Sequence, residues 1–136
     1  METNGVILPP ANFLSFDYHI SEGNKEEMPG LICYMFTETF GDRHFERQAL
    51  ADFVLTIMSC YRQNPYHNVE HAFCFTHTMF LVLINNPDYF NFVETAGLML
   101  AGLCHDIDHP GFNNNFLALC KHPLAKMYKN SMLEYH

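Results

Sequence analysis

At 136 residues the chain has the length of one ordinary domain, and with 49% hydrophobic residues and abundant Phe and Tyr it excludes disorder over most of that length. A formal charge of −8, with only seven scattered Lys and Arg, excludes a surface built to neutralise the phosphates of a nucleic acid. The five cysteines form no CxxC pair, and the longest apolar run, residues 96–104, falls far short of the ~20 residues that span a bilayer. The expectation is a reduced, cytoplasmic protein with neither a secretory leader nor a transmembrane segment.

Residues 1–27 carry no long periodic segment. Gly5, Pro9-Pro10 and Gly23 punctuate them, and residues 12–18 are apolar enough to lie against a domain, so they read as an irregular packed arm. From Pro29 the spacing becomes helical: Leu31, Ile32, Met35 and Phe36 repeat on one face, and Gly41 is the stop. A second helix is expected over residues 47–63, with Leu50, Phe53, Val54, Ile57 and Tyr61 as its apolar stripe and Asn64-Pro65 as its end. A third starts at Asn68, a good N-cap, with Glu70 complementing the helix dipole, and stops at Asn85-Asn86-Pro87.

The fourth helix, through Val93, Ala96, Gly97, Leu100, Ala101 and Cys104, is apolar nearly all round, which predicts a buried helix. It would carry His105 and Asp106 out of the core. Pro110-Gly111 breaks the chain, the asparagines at 113–115 can cap a fifth helix through Leu119, and His122-Pro123 breaks it again before a last short helix. No strand-like alternation and no internal repeat appears. The fold class is all-α, a helical bundle.

Two clusters carry the candidate chemistry and hold four of the nine histidines: residues 64–73 and residues 105–111. A histidine alone is most often a surface or core residue, and His19, His44, His77 and His122 are read that way. His67 and His71 stand four apart, which brings two imidazoles to one helix face. Residues 67–71 also satisfy the inverted zinc-peptidase pattern H-x-x-E-H, with Glu70 as base, but that reading leaves His105, Asp106, Asp108 and His109 unused. An adjacent His-Asp pair at the end of an apolar helix is costly unless a hydrogen bond or a cation compensates it. Imidazole with carboxylate suits zinc, and a carboxylate also suits magnesium or manganese and has two oxygens with which to bridge two ions.

Tyr66-His67-Asn68-x-x-His71-Ala72, followed by His105-Asp106-x-Asp108-His109-x-Gly111-x-x-Asn114, resembles the signature of the class I 3′,5′-cyclic nucleotide phosphodiesterases, an HD-type metallohydrolase family. The similarity runs from about Glu38 to the end, through Tyr61-Arg62, His122-Pro123-Leu124-Ala125, Tyr128 and Leu133-Glu134-x-His136. Its flanks look most like the branches that hydrolyse cyclic GMP or both cyclic nucleotides. The resemblance implies that residues 28–136 are the N-terminal part of the catalytic domain of the HD-domain fold, preceded by the arm. It implies that His71, His105 and Asp106 bind the tighter metal, usually zinc, and that Asp106 also holds a second ion, usually magnesium (or manganese). It further implies that His109 and Glu134 orient waters, that Asn114 lines the pocket, and that His67 is the general acid protonating the departing 3′ oxygen. The reaction implied is attack by a hydroxide held between the two metals on the cyclic phosphate of cyclic GMP or cyclic AMP, yielding the 5′-monophosphate. Asp108 is expected to be a hydrogen-bonding scaffold. Partners implied are the cyclic nucleotide, a second copy of the chain, or other subunits.

Val69 departs from the Trp that many members carry at that place. The family's catalytic domain also continues past the position of His136 and there supplies a further aspartate ligand, a purine-holding glutamine and a stacking aromatic residue. The expectation is therefore an incomplete site with weak metal binding and little turnover. A third reading, alongside phosphodiesterase and zinc peptidase, is a non-catalytic protein that regulates or binds a longer partner.

Overall fold

The structure, a computed structural model, describes residues 8–128 and 132–135. Gly5 of the arm and His136 of the last motif lie outside the described residues. Helices α1 (Met28–Phe40), α2 (Arg47–Ser59), α3 (Val69–Ile84) and α4 (Phe92–Cys104) form the body. The shorter α5 (Asn114–Leu119), α6 (Pro123–Tyr128) and α7 (Met132–Tyr135) follow. Two 3-10 turns, Glu22–Glu27 and Asp42–His44, precede α1 and α2, and no strand occurs among the described residues. The fold is all-α, as the periodicity predicts.

The caps explain the boundaries. Asn68 accepts from the His71 amide at 3.0 Å and starts α3, and Asn113 accepts from Phe116 and starts α5. Asn91 and Glu94 form a reciprocal capping box on α4. Glu46 caps α2 by accepting from the Gln48 and Ala49 amides, which holds its carboxyl below the usual range. α1 stops at Gly41, whose φ of 86° suits glycine.

α3 is the central helix, packed against α1 on one side and α4 on the other, while α2 packs on α1. Leu31, Ile32 and Met35 of α1, Val54 of α2, Phe73, Phe80 and Leu81 of α3, and Met99 and Leu103 of α4 are almost wholly buried in one core. The arm belongs to that core. Phe13 and Tyr18 are buried in it, and the Phe13 ring contacts His77 with ring centroids 4.7 Å apart. His77, itself buried, donates from Nε2 to the Phe13 carbonyl at 2.6 Å, so a polar side chain ties the arm to α3 without leaving a buried donor unpaired.

Two expectations are corrected. α2 ends at Ser59, four residues earlier than the stripe suggests. The Cys60 carbonyl accepts from the Asp108 amide at 3.0 Å and is no longer available to the helical ladder. Tyr61 instead turns inward and donates to the Leu103 carbonyl at 2.7 Å, and burial pushes its hydroxyl up to about 12. The second correction is that α4 is not buried all round: Met99, Gly102 and Leu103 are buried, but Val93 is 77% and Leu100 43% exposed. Among the described residues α3 covers one face of α4 and leaves the other open. His105 and Asp106 consequently emerge at the rim of the core, with side chains 30% and 14% exposed.

Burial lowers the His77 pKa, the carbonyl partner opposes that shift, and His19 adds to it. A folded value below the ordinary ~6.5 means that the unfolded chain takes up the proton first as the medium is acidified. His77 therefore contributes stability above about pH 6.5 that is lost as pH falls towards its lowered folded value. Thermal unfolding followed by circular dichroism from about pH 8 to about pH 5 should show this loss, and His77→Gln should lose less over the same window. A second expectation concerns the inward Tyr61. Tyr61→Phe leaves the Leu103 carbonyl without its donor and should cost about 1–3 kcal/mol in urea unfolding.

Candidate metal and proton-donor site

α3 and α4 run antiparallel, because His71 and Thr76 of α3 meet His105 and Gly102 of α4 in reverse order. The first turn of α3 thus lies against the end of α4. There, His71 Nε2 stands 3.3 Å from Asp106 Oδ2, His105 Nε2 stands 3.2 Å from the same oxygen, and the two Nε2 atoms are 3.3 Å apart. The three atoms form a nearly equilateral triangle. Ligand atoms held tetrahedrally by bonds of ~2.0–2.1 Å stand ~3.3–3.4 Å apart, so this triangle has the size of three corners around a zinc-like ion.

The protonation pattern agrees. His105 Nδ1 lies 2.9 Å from the Gly102 carbonyl, which can only accept, so Nδ1 carries the hydrogen and Nε2 turns its lone pair to the triangle. Burial lowers the His71 pKa, the neighbouring His105 and His67 add to the shift, and Asp106 opposes it. Neutral imidazole is the form that binds metal. The residues fit a divalent cation held by two nitrogens and one carboxylate oxygen.

His67 and His109 also approach Asp106. Their rings stack at 3.9 Å with planes 16° apart, and together with Asp106 they form a second group of converging ligand atoms. Asp106 is thus shared by both groups. His109 Nδ1 accepts from the Gly111 amide at 3.0 Å, which leaves Nε2–H as a donor, and burial followed by His67 lowers its pKa. A ring with this tautomer can donate to an oxygen from Nε2.

Asn114 and Glu134 meet each other: Asn114 Nδ2 donates to both carboxylate oxygens at 3.1 and 2.9 Å, and Asn114 Oδ1 accepts from the Leu133 amide at 3.1 Å. The Asn114 bond holds the Glu134 carboxyl below its ordinary range. Their hydrogen bonds run to each other rather than to the triangle. Asp108 is a scaffold residue. Its φ is 57°, its amide binds the Cys60 carbonyl, and its carboxylate accepts from Arg62 Nε at 2.6 Å.

The inverted peptidase pattern does not survive the geometry. His67 precedes α3, so the two histidines do not share a helix, and His67 lies outside the His71, His105 and Asp106 group. Glu70, the base in that reading, is paired with Lys25 Nζ at 2.5 Å. Burial raises the Glu70 pKa, but the Lys25 bond and a backbone bond bring it below the ordinary value overall. Asn64 and Tyr61 escaped the sequence reading as site residues, because one looked like a helix stop and the other like part of an apolar stripe. The sequence signals were the place of Asn64 at the start of the first cluster and of Tyr61 in the run-up to it.

Residues 66–136 match the model of the 3'5'-cyclic nucleotide phosphodiesterase family. The "Probable 3',5'-cyclic phosphodiesterase pde-5" of Caenorhabditis elegans is 37% identical over 90% of this chain and 17% of its own length. The "cGMP-specific 3',5'-cGMP phosphodiesterase 3" of Dictyostelium discoideum is 32% identical over 79% of this chain and 24% of its own length. The "Rod cGMP-specific 3',5'-cyclic phosphodiesterase subunit alpha" of Bos taurus is 35% identical over 79% of this chain and 13% of its own length. This chain therefore spans between about an eighth and a quarter of the lengths of these relatives. Among solved structures, the phosphodiesterase domain of the RhoPDE fusion protein of the choanoflagellate Salpingoeca rosetta superposes with a TM-score of 0.82 at 26% identity. The superposition covers 93% of this chain and 41% of that one. The family model spans more than half of the chain and takes in both histidine clusters, and the fold agrees with it: the chain belongs to the 3'5'-cyclic nucleotide phosphodiesterase family.

Proposed function

We propose that the chain takes part in the hydrolysis of a 3′,5′-cyclic nucleotide to the 5′-monophosphate, with cyclic GMP as the first substrate to test and cyclic AMP the second. The observation that carries this reading is the triangle of His71, His105 and Asp106, with His67 beside it. Two of the relatives carry cyclic GMP in their names, which supports the order of substrates. Residues 28–136 would supply the metal-ligating part of the catalytic domain. The arm up to residue 27 would brace α3 through Phe13, Tyr18 and Lys25.

His71, His105 and Asp106 would hold a zinc ion, which their donor set suits. The other oxygen of Asp106 would serve a second, oxygen-preferring ion such as magnesium or manganese. Bound there, such ions lower the pKa of water and offset charge on the phosphate oxygens. The chain's own work is positional and protonic. His67, its ring stacked on His109, is the proton donor. As a water oxygen gives up one proton to solvent and bonds to phosphorus, the phosphorus–O3′ bond breaks and O3′ takes a proton from protonated His67, whose neutral ring is then reprotonated from solvent. His109, with Nε2–H free to donate, orients the attacking water. Asn114 and Glu134 hold α7 to α5 and line the approach.

No helix among the described residues is long and apolar enough to cross a membrane, and the five cysteines are free thiols, which suits a cytoplasmic setting. A second copy of the chain or another subunit is the protein partner proposed beside the nucleotide.

Metal binding and turnover test the reading separately. In zinc titrations, His71→Ala, His105→Ala and Asp106→Ala should each weaken binding by at least about tenfold, whereas His67→Ala should leave it nearly intact. Loss of zinc in His67→Ala would sink the assignment of His67 as donor and revive the peptidase geometry. For turnover, cyclic GMP and cyclic AMP are supplied with zinc and magnesium and the product is identified by chromatography. A 5′-monophosphate is expected, formed at the low rate that part of the family's ligand set allows and lost on chelation and in His67→Ala. A 3′-monophosphate, chelator-resistant turnover, or no hydrolysis by the metal-loaded protein would defeat it.

A further inference from the structure

Asn64 opens the first histidine cluster and binds residues of both. Its Nδ2 donates to the His67 carbonyl at 3.0 Å and to the His109 carbonyl at 2.7 Å. A primary amide has two N–H groups, and each finds one carbonyl. The orientation is unambiguous, since a flipped amide would point Oδ1 at two carbonyl oxygens. The Asn64 carbonyl in turn accepts from Asn68 Nδ2 at 2.9 Å, and Asn68 Oδ1 caps the His71 amide at 3.0 Å.

Gly111 closes the arrangement from the other side. A Cβ there would stand 2.7 Å from Asn64 Oδ1, and its φ of 79° is one that side-chain-bearing residues rarely adopt. The Gly111 amide donates to His109 Nδ1, so the residue that makes room for Asn64 also sets the tautomer of His109. His67 itself lies on no helix. Its backbone is held by one amide that simultaneously holds the backbone of His109, and the two rings emerge stacked at 3.9 Å.

We propose that Asn64 is a positioning residue that sets the proton donor His67 against His109 and Asp106, with Gly111 as its steric counterpart. The consequence for turnover rests on the reading of His67 as proton donor; the consequence for the ring stack does not. A residue that merely stabilises the fold would weaken every part of the site together. A residue that positions His67 should disturb the stacked pair and spare the zinc triangle, which is built by α3 and α4.

The decisive variant is Asn64→Asp, which keeps the shape and turns a carboxylate oxygen towards two carbonyl oxygens. Asn64→Ala removes both bonds without adding charge and carries the same expectation if the aspartate variant does not fold. The whole chain is studied by two-dimensional NMR of the histidine Cε1–H groups, assigned with His67→Ala and His109→Ala, and by titration with zinc alone. The variant should move the His67 signal to where His109→Ala leaves it, while zinc affinity stays within about threefold of the parent. Turnover of cyclic GMP should fall by at least about tenfold with KM little changed, since small misplacements of a reacting group cost that much or more. An unmoved His67 signal would overturn the proposal, as would zinc affinity falling in step with the ring shifts. Should the parent itself fail to hydrolyse cyclic nucleotide, the proposed function falls, while the NMR and zinc measurements still decide the role of Asn64.

Discussion

The close approach of α4 to α3 is the constraint on which the rest of the site depends. At Gly102 a Cβ would already stand 3.4 Å from the Thr76 Cα and 3.5 Å from Thr76 Oγ1, so a glycine lets the backbones come together one turn before His105. The same residue gives its carbonyl to His105 Nδ1 and so chooses the tautomer that turns Nε2 outward. One glycine therefore sets both where the imidazole stands and which nitrogen it offers. Thr76 returns its hydroxyl to the Ala72 carbonyl within its own helix and leaves no buried donor at the contact.

A second set of bonds fixes the turn after α4. The Asp108 amide on the Cys60 carbonyl and the Tyr61 hydroxyl on the Leu103 carbonyl bind the end of α2 to either side of the His105-Asp106 pair. The Arg62–Asp108 ion pair is more than half exposed and adds little, as surface pairs are worth ~0–1 kcal/mol. The Tyr61 bond matters more, because it is buried and its loss leaves a carbonyl unpaired. Asp108 adopts its left-handed conformation in this setting, where its amide is hydrogen-bonded and its carboxylate is paired.

Bringing two imidazole nitrogens and a carboxylate oxygen to within 3.3 Å of one another has a cost unless a hydrogen bond or a cation compensates it. Nothing about folding requires such a cluster. It persists because α3 and α4 are held by apolar packing that does not involve it, with Phe73, Phe80, Met99 and Leu103 buried beneath. Stability and chemistry are thus divided between the two faces of the same pair of helices. The arm adds to the stabilising side through the His77–Phe13 bond.

Much of this was legible in the chain itself. The helical period, the Asn68 and Asn113 caps and the Gly41 stop follow from local spacing and side-chain chemistry, which act within a turn or two, whereas the choice of His71, His105 and Asp106 as candidate ligands came from the resemblance of the two motifs to a known family. The early end of α2, the open face of α4, the Asn64 amide bridging two loops and the pairing of Asn114 with Glu134 do not, because each depends on a partner distant in the chain or on what covers a helix. Periodicity reports that a face is apolar but not whether anything lies against it, and so α4 looked buried. The amino-acid sequence alone determined the helices, their caps and which side chains could hold a metal or a proton. Only the tertiary structure decided that His71, His105 and Asp106 form one triangle while His67 stands apart on His109, because that division is set by the antiparallel packing of α3 on α4 and by one amide spanning two loops.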